Sequence, residues 1–166
     1  AKEGGLAGAG QADEDDALHL GRSGTDAAVT LEQDARVHQW LAALEARHLA
    51  DLRVPEVTRA LRALSSAYVQ RRHKVAAGAT LDTAGKRAAF AVYYGPLHFI
   101  TVGRILAALA PDARPPASIV DLGCGTGVAG AAWALHAGGT SSVTGIDRHP
   151  WAIEEARWTY RQLGVR

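Results

Sequence analysis

Two carboxylates and four glycines stand at spacings that suit cofactor chemistry. Gly123, Gly125, Gly127 and Gly130 fall within eight residues of "IVDLGCGTGVAG" (119–130), headed by Asp121, and Asp147 follows 20 residues after Gly127. Glycine costs backbone entropy and packs nothing, so a chain that uses so many together needs them for geometry. In a strand–loop–helix unit, such a loop lets a ligand approach the backbone and turns helix N-terminal N–H groups towards it. An acid at the tip of the second strand then accepts hydrogen bonds from ribose hydroxyls, and Asp147 stands at the expected distance.

Gly125, Gly127 and Gly130 satisfy G-x-G-x-x-G, which makes a dinucleotide a formal candidate. Asp121, at the end of the first strand, argues against it. A carboxylate there repels a pyrophosphate at short range and suits a cation. S-adenosyl-L-methionine carries a sulfonium and an ammonium group and no phosphate. Cys124 reads as a small hydrophobe in a tight loop, with no neighbouring histidine in sequence to activate it.

These elements need a scaffold. "SIVDLG" and "SSVTGID" read as short strands, "TGVAGAAWALHAGG" and "HPWAIEEARWTYRQLG" as helices, with Pro150 starting the last helix and Gly164 ending it. Strand–helix–strand–helix predicts a parallel βαβ arrangement. Upstream the grammar is helical. "TLEQ" at Thr30 forms a capping box, followed by Val37, Trp40, Leu41, Leu44 and His48 at helical spacing over about 31–50. A second helix opens at Pro55, with the stripe Val57, Leu61, Leu64 and Tyr68. A third runs from near Asp82 to a break at Gly95-Pro96, and a fourth ends before Pro111. The domain expectation is a disordered, acidic leader over 1–27, a helical region over 28–110, and a partial Rossmann-like domain over 111–166, its sheet truncated where a third strand would begin. Methionine is absent even at position 1, which points to a processed chain or a fragment.

The glycine stretch followed by "VTGIDRHPWAIEEAR" resembles the first two motifs of class I S-adenosylmethionine-dependent methyltransferases. The resemblance implies that Asp121, Gly123, Cys124, Gly125 and Gly127 line the methionine and ribose side of S-adenosyl-L-methionine. By the same resemblance Asp147 holds the ribose hydroxyls, with Arg148 and His149 near the adenine edge. Tyr93, Tyr94, His98 and Phe99 are candidates to cover the cofactor from the helical side, Tyr94 foremost because it adjoins the expected break. The layout of about 53–163 is also similar to the methyltransferase-like family associated with assembly of the mitochondrial ribosome small subunit, and to its bacterial relatives.

Charge is segregated. Residues 1–52 carry four Lys/Arg against ten Asp/Glu, 53–104 carry nine against two, and 105–166 are balanced at five each. The middle segment, with Arg59, Arg62, Arg71, Arg72, Lys74, Lys86 and Arg87, suits RNA or a ribosomal subunit, or else a solvated helix face. His38, His48 and His136 lie in helical patterns without metal spacing, so no metal is expected. One cysteine cannot form an intramolecular disulfide, which fits the cytoplasm. No apolar run approaches the ~20 residues of a membrane span. Three readings follow: RNA methylation, a small-molecule methyltransferase with a helical lid, and a non-catalytic ribosome-assembly factor that retains the fold.

Overall fold

The computed structural model describes residues 24–70, 81–109 and 114–166, with side chains in the first stretch from Asp34 to Ala67. Three helices precede a βαβα unit: α1 (Gly24–Leu49), α2 (Val54–Gln70), α3 (Ala84–Leu109), β1 (Ser118–Leu122), α4 (Val128–His136), β2 (Ser142–Ile146) and α5 (Pro150–Leu163). The strands pair in parallel, with Ser118 opposite Ser142 and Asp121 opposite Gly145. Helices α4 and α5 cover one face of this pair. On the other face Val120, Leu122 and Ile146 are exposed. Beside β2, the Val143 N–H donates to the Arg166 carbonyl at 2.7 Å. This is a mixed, helix-rich α/β arrangement consistent with part of a Rossmann-like methyltransferase fold.

Sequence periodicity places the core correctly. Trp40 and Leu44 of α1 are almost fully buried against Val128, Ala131, Ala134 and Leu135 of α4 and Leu163 of α5. Alanine on the inner face of α4 lets α3 and α4 approach closely. A second cluster gathers Leu64 of α2, Leu81 and Ala89 around Phe90, Tyr94 and Trp151. At the last helix, Pro150 occupies the first turn and Gly164 caps the end at φ 67°, as the sequence predicts.

Four expectations need correction. Helix α1 begins at Gly24, so Thr30 lies inside it rather than at its start, and residues 24–27 belong to the helix rather than to a leader. The rest of that leader, Arg71, Arg72 and Lys74, and the proline connector around Pro111 lie outside the described residues. Gly95-Pro96 does not break the chain into two helices. Phe90–Tyr94 form a π turn, in which the Gly95 N–H reaches the Phe90 carbonyl, and the α-helix resumes at once. Proline normally clashes with the carbonyl four residues before it; a widened turn at that point gives the ring room and absorbs its missing N–H. The uninterrupted helix also changes the membrane reading. Ala84–Leu109 has 26 residues and a stretch of mean hydropathy 1.2, long and apolar enough by length and composition alone to cross a membrane. One flank of it packs on α4.

A candidate cofactor site between the glycine loop and helix α3

The loop from Gly123 to Gly127 joins β1 to α4, and its backbone is fixed from inside the protein. The N–H groups of Gly123 and Cys124 both donate to the Ile146 carbonyl, at 2.7 and 3.0 Å. Gly125 N–H donates to Asp147 Oδ2 at 2.9 Å, and Asp147 Oδ1 accepts from His149 N–H at 2.8 Å. Gly130 N–H donates to Asp121 Oδ2 at 2.9 Å. Each acid at a strand tip therefore clamps the first turn of a helix or the loop itself. The lone pairs left on each carboxylate are what a ligand can use.

The glycines divide into two kinds. At Gly127, φ is 78° and an added Cβ would fall 2.8–2.9 Å from the Tyr160 ring and Ala156 Cβ. Cβ atoms at Gly130 and Gly145 would meet Val143 and Tyr160 at 2.8 Å. These three positions answer to internal packing. Gly123, at φ 73°, has nothing within 4 Å of an added Cβ, and Gly125 faces only the edge of Phe90 at 3.5 Å. Only this front part of the motif leaves its backbone open to a ligand.

In front of it lies a cavity of about 500 Å³, within the 300–1,000 Å³ range of small-molecule sites. One wall is Asp121, the loop, Val128 and Ala129. The other is helical: Ser65 of α2 and Phe90, Tyr94, His98, Thr101 and Val102 of α3. No Lys or Arg is among these lining residues, and Asp121 is the fixed charge.

Of the residues singled out from sequence, Asp121, Gly123, Cys124, Gly125, Tyr94 and His98 meet in this cavity. Gly127 lies behind it at the helix cap. Asp147 adjoins it through Gly125 without lining it, and Arg148 is exposed and lines none of the described cavities. Tyr93 is half-exposed and turned away, whereas Phe99 packs on Trp40 with ring centroids 5.3 Å apart. Phe90 was legible as the start of an i, i+4, i+8 ladder with Tyr94 and His98, whose rings stand 5.9 Å apart pair by pair. Nothing in the sequence signals Ser65, because the α2–loop contact spans distant segments.

Cys124 is buried, and burial, followed by the nearby Asp121 and Asp147 carboxylates, pushes its thiol up to about 11. A thiol so far from ionisation at neutral pH makes a poor nucleophile. Burial also raises the Tyr160 phenol, whose oxygen is buried without a hydrogen-bond partner behind the loop. His48 donates to or accepts from buried Glu155 at 2.7 Å, a structural contact rather than a ligand set. Residues 114–166 match the family described as a methyltransferase domain, which covers the βαβα unit and not the helices before it. No curated protein or solved structure matches the chain. The match takes in the glycine loop, β2 and α5, and the likeness of the helical region to a ribosome-assembly family lies outside it.

Proposed function

We propose that this chain binds S-adenosyl-L-methionine in the loop–α3 cavity and serves methyl transfer to RNA. The observation that carries the cofactor is the cavity's electrostatics: a carboxylate at its head, and no lysine or arginine among its lining residues. A pyrophosphate would be buried there without a cation and beside Asp121, at a heavy desolvation cost. An ammonium or sulfonium group is matched instead. The bound cofactor supplies an electrophilic methyl group; the protein's own residues hold and orient it. Asp121 offers its free lone pairs to the ammonium group, Gly123 leaves the backbone approachable, and Phe90 and Tyr94 shield the cofactor from water. Asp147, anchored to Gly125, keeps acceptor capacity for ribose hydroxyls. Alignment of methyl group and acceptor is the main catalytic demand in an in-line displacement. In calorimetric titration the protein binds S-adenosylhomocysteine and not NAD; saturable NAD binding without the homocysteine compound would sink the assignment.

The acceptor reading rests on α2. Arg59 and Arg62 are exposed on the helix that gives Ser65 to the cavity wall. Lys86 and Arg87 are less available, the first paired with Asp82 at 2.8 Å and the second bonded to the Leu81 carbonyl and set against Trp151. A single-stranded RNA oligonucleotide should bind with a salt dependence that weakens in Arg59→Ala/Arg62→Ala. At roughly 0.7 per single-strand phosphate contact, the log–log salt slope should fall by about 1.4. An unchanged slope would favour the small-molecule reading, in which α2 and α3 act as a lid over the same cavity.

A further inference from the structure

A second hollow, of about 310 Å³, is walled by the end of α1, the turn into α2, the start of α3 and Trp151 of α5. It shares no lining residue with the cofactor cavity. Phe90 of that cavity and Trp151 of the hollow meet edge to face, 6.5 Å between ring centroids, so two aromatic rings stand between them. Two opposite charges line the hollow without meeting: Asp51, exposed in the turn after α1, and Arg87 in the first turn of α3. Among the described residues neither forms an ion pair, with the other or with anything else. Arg87 is nevertheless fixed. Its Nε donates to the Leu81 carbonyl at 2.9 Å, and its guanidinium carbon lies 5.9 Å from the centre of the Trp151 ring. Both anchors leave its terminal N–H groups uncommitted. Arg47 and His48 also line the hollow, but both are bonded to buried Glu155, at 3.2 and 2.7 Å.

A carboxylate and an anchored guanidinium that share a hollow suit a ligand with donors on one edge and acceptors beside them. A phosphate meets only half of that pattern, because Asp51 repels it. Guanine meets all of it. Its N1–H and N2–H groups are paired donors for a carboxylate, and its O6 and N7 are paired acceptors for a guanidinium fork. Adenine offers a carboxylate its single amino group, and uracil a single ring N–H. The remaining wall suits a flat ring: Trp151 and His48, crossed at 76°, present aromatic surface, and Ala84 and Ala88 take up little room. Unpaired bases stack on such aromatic rings and on guanidinium planes. The volume lies at the small end of ligand sites and fits one base with its sugar. We propose that this hollow is a binding site for a guanine base, which donates to Asp51 and accepts from Arg87. The same anchoring that withholds Arg87 from mobile phosphate contacts sets its fork for planar recognition. The base belongs either to a free guanine nucleotide or to an unpaired guanine of an RNA strand, and only the second source rests on the acceptor reading above.

The test is calorimetry on the full chain with the 5′-monophosphates of guanosine, inosine and adenosine. Guanosine monophosphate should bind about tenfold or more tightly than adenosine monophosphate, the scale of one bidentate contact to a base edge. Inosine monophosphate, which lacks the 2-amino group, should fall between them. Asp51→Asn should abolish the preference without moving the melting temperature, since the side chain is exposed in a turn. Arg87→Lys keeps the charge but loses the fork, and should weaken guanosine monophosphate by a similar factor. No binding of guanosine monophosphate, equal binding of the three, a preference that survives Asp51→Asn, or equal displacement by inorganic phosphate overturns the proposal. Saturation with S-adenosylhomocysteine should leave guanosine monophosphate binding unchanged, and direct competition would put the base in the cofactor cavity and overturn the second site. An all-adenine oligonucleotide compared with one carrying a single central guanine identifies the source. Tighter binding of the second, lost in Asp51→Asn, assigns the site to RNA. Guanosine monophosphate binding without that difference assigns it to a free nucleotide and counts against the RNA reading, with guanine recognition upheld.

Discussion

Gly127→Ala is expected to lower stability by about 2–5 kcal/mol, a large part of the total for a domain of this size. Two costs add. The left-handed φ of 78° at this position costs a side-chain-bearing residue ~1–2 kcal/mol, and forcing a methyl into filled space typically adds ~1–3 kcal/mol. The space cannot open cheaply. One neighbour is Ala156 Cβ, fixed to the backbone of α5. The other is the Tyr160 ring, whose hydroxyl end is itself buried, beside Gly145, where it would stand 2.8 Å from an added Cβ. Thermal unfolding should register a fall on the order of 10 °C. Gly123→Ala supplies the contrast, because it has a similar φ and nothing within 4 Å to strike. It should cost only about the conformational term of ~1–2 kcal/mol, while obstructing the cavity and weakening S-adenosylhomocysteine. A melting temperature for Gly127→Ala within two or three degrees of the unaltered protein would refute the packing account. Recovery in Gly127→Ala/Tyr160→Leu would locate the clash.

This contrast bears on what the sequence could reveal. The spacing of Gly125, Gly127 and Gly130 correctly marks a loop between a strand and a helix. It does not say which glycines face a ligand, because an αL backbone and a close internal approach leave the same letter in the sequence. Gly127 and Gly130 are dictated by Tyr160 and Val143, residues that are remote along the chain. Asp147 was legible as the acid of the second strand, yet its clamp on the Gly125 N–H depends on the register of β1 against β2. Local signals with short reach read well: the apolar stripe of α1, Val57, Leu61 and Leu64 of α2 (the Tyr68 side chain lies outside the described residues), Pro150 and Gly164. The π turn at Phe90–Tyr94 does not, since proline in a helical pattern argues for a break and only the packed helix shows how the break is avoided. Similarly, the Thr30 capping box is a sound local pattern overridden by a helix that begins a turn and a half earlier.

Removing both side-chain partners of Glu155 is the second substitution with a large expected effect. Glu155 is fully buried on α5, where Ala152, Ala156, Thr159 and Leu163 form the rest of the inward face. Its carboxylate is held by two residues of α1, Arg47 Nε at 3.2 Å and His48 Nε2 at 2.7 Å. The pair reaches across more than a hundred residues and joins the helical region to the βαβα unit. Arg47→Ala/His48→Ala leaves a charge stranded in the interior, which costs about 3–5 kcal/mol. Arg47→Ala alone should cost less. The shorter bond to His48 remains, and the losses are a partly exposed ion pair and the guanidinium stacked 5.0 Å over the Trp158 ring. Adding Glu155→Leu to the double variant should restore much of the stability, because the stranded charge is then gone and an apolar side chain fills its place. Urea unfolding followed by tryptophan fluorescence measures all three. A loss below about 1 kcal/mol in the double variant would place it with exposed ion pairs and refute the buried-charge account. Neither Arg47 nor His48 lines the cofactor cavity, so S-adenosylhomocysteine binding to the folded fraction should persist. Trp40 of the same helix packs on Phe99 of α3. The ion cluster and that aromatic contact together hold the helical wall of the cavity against its glycine loop.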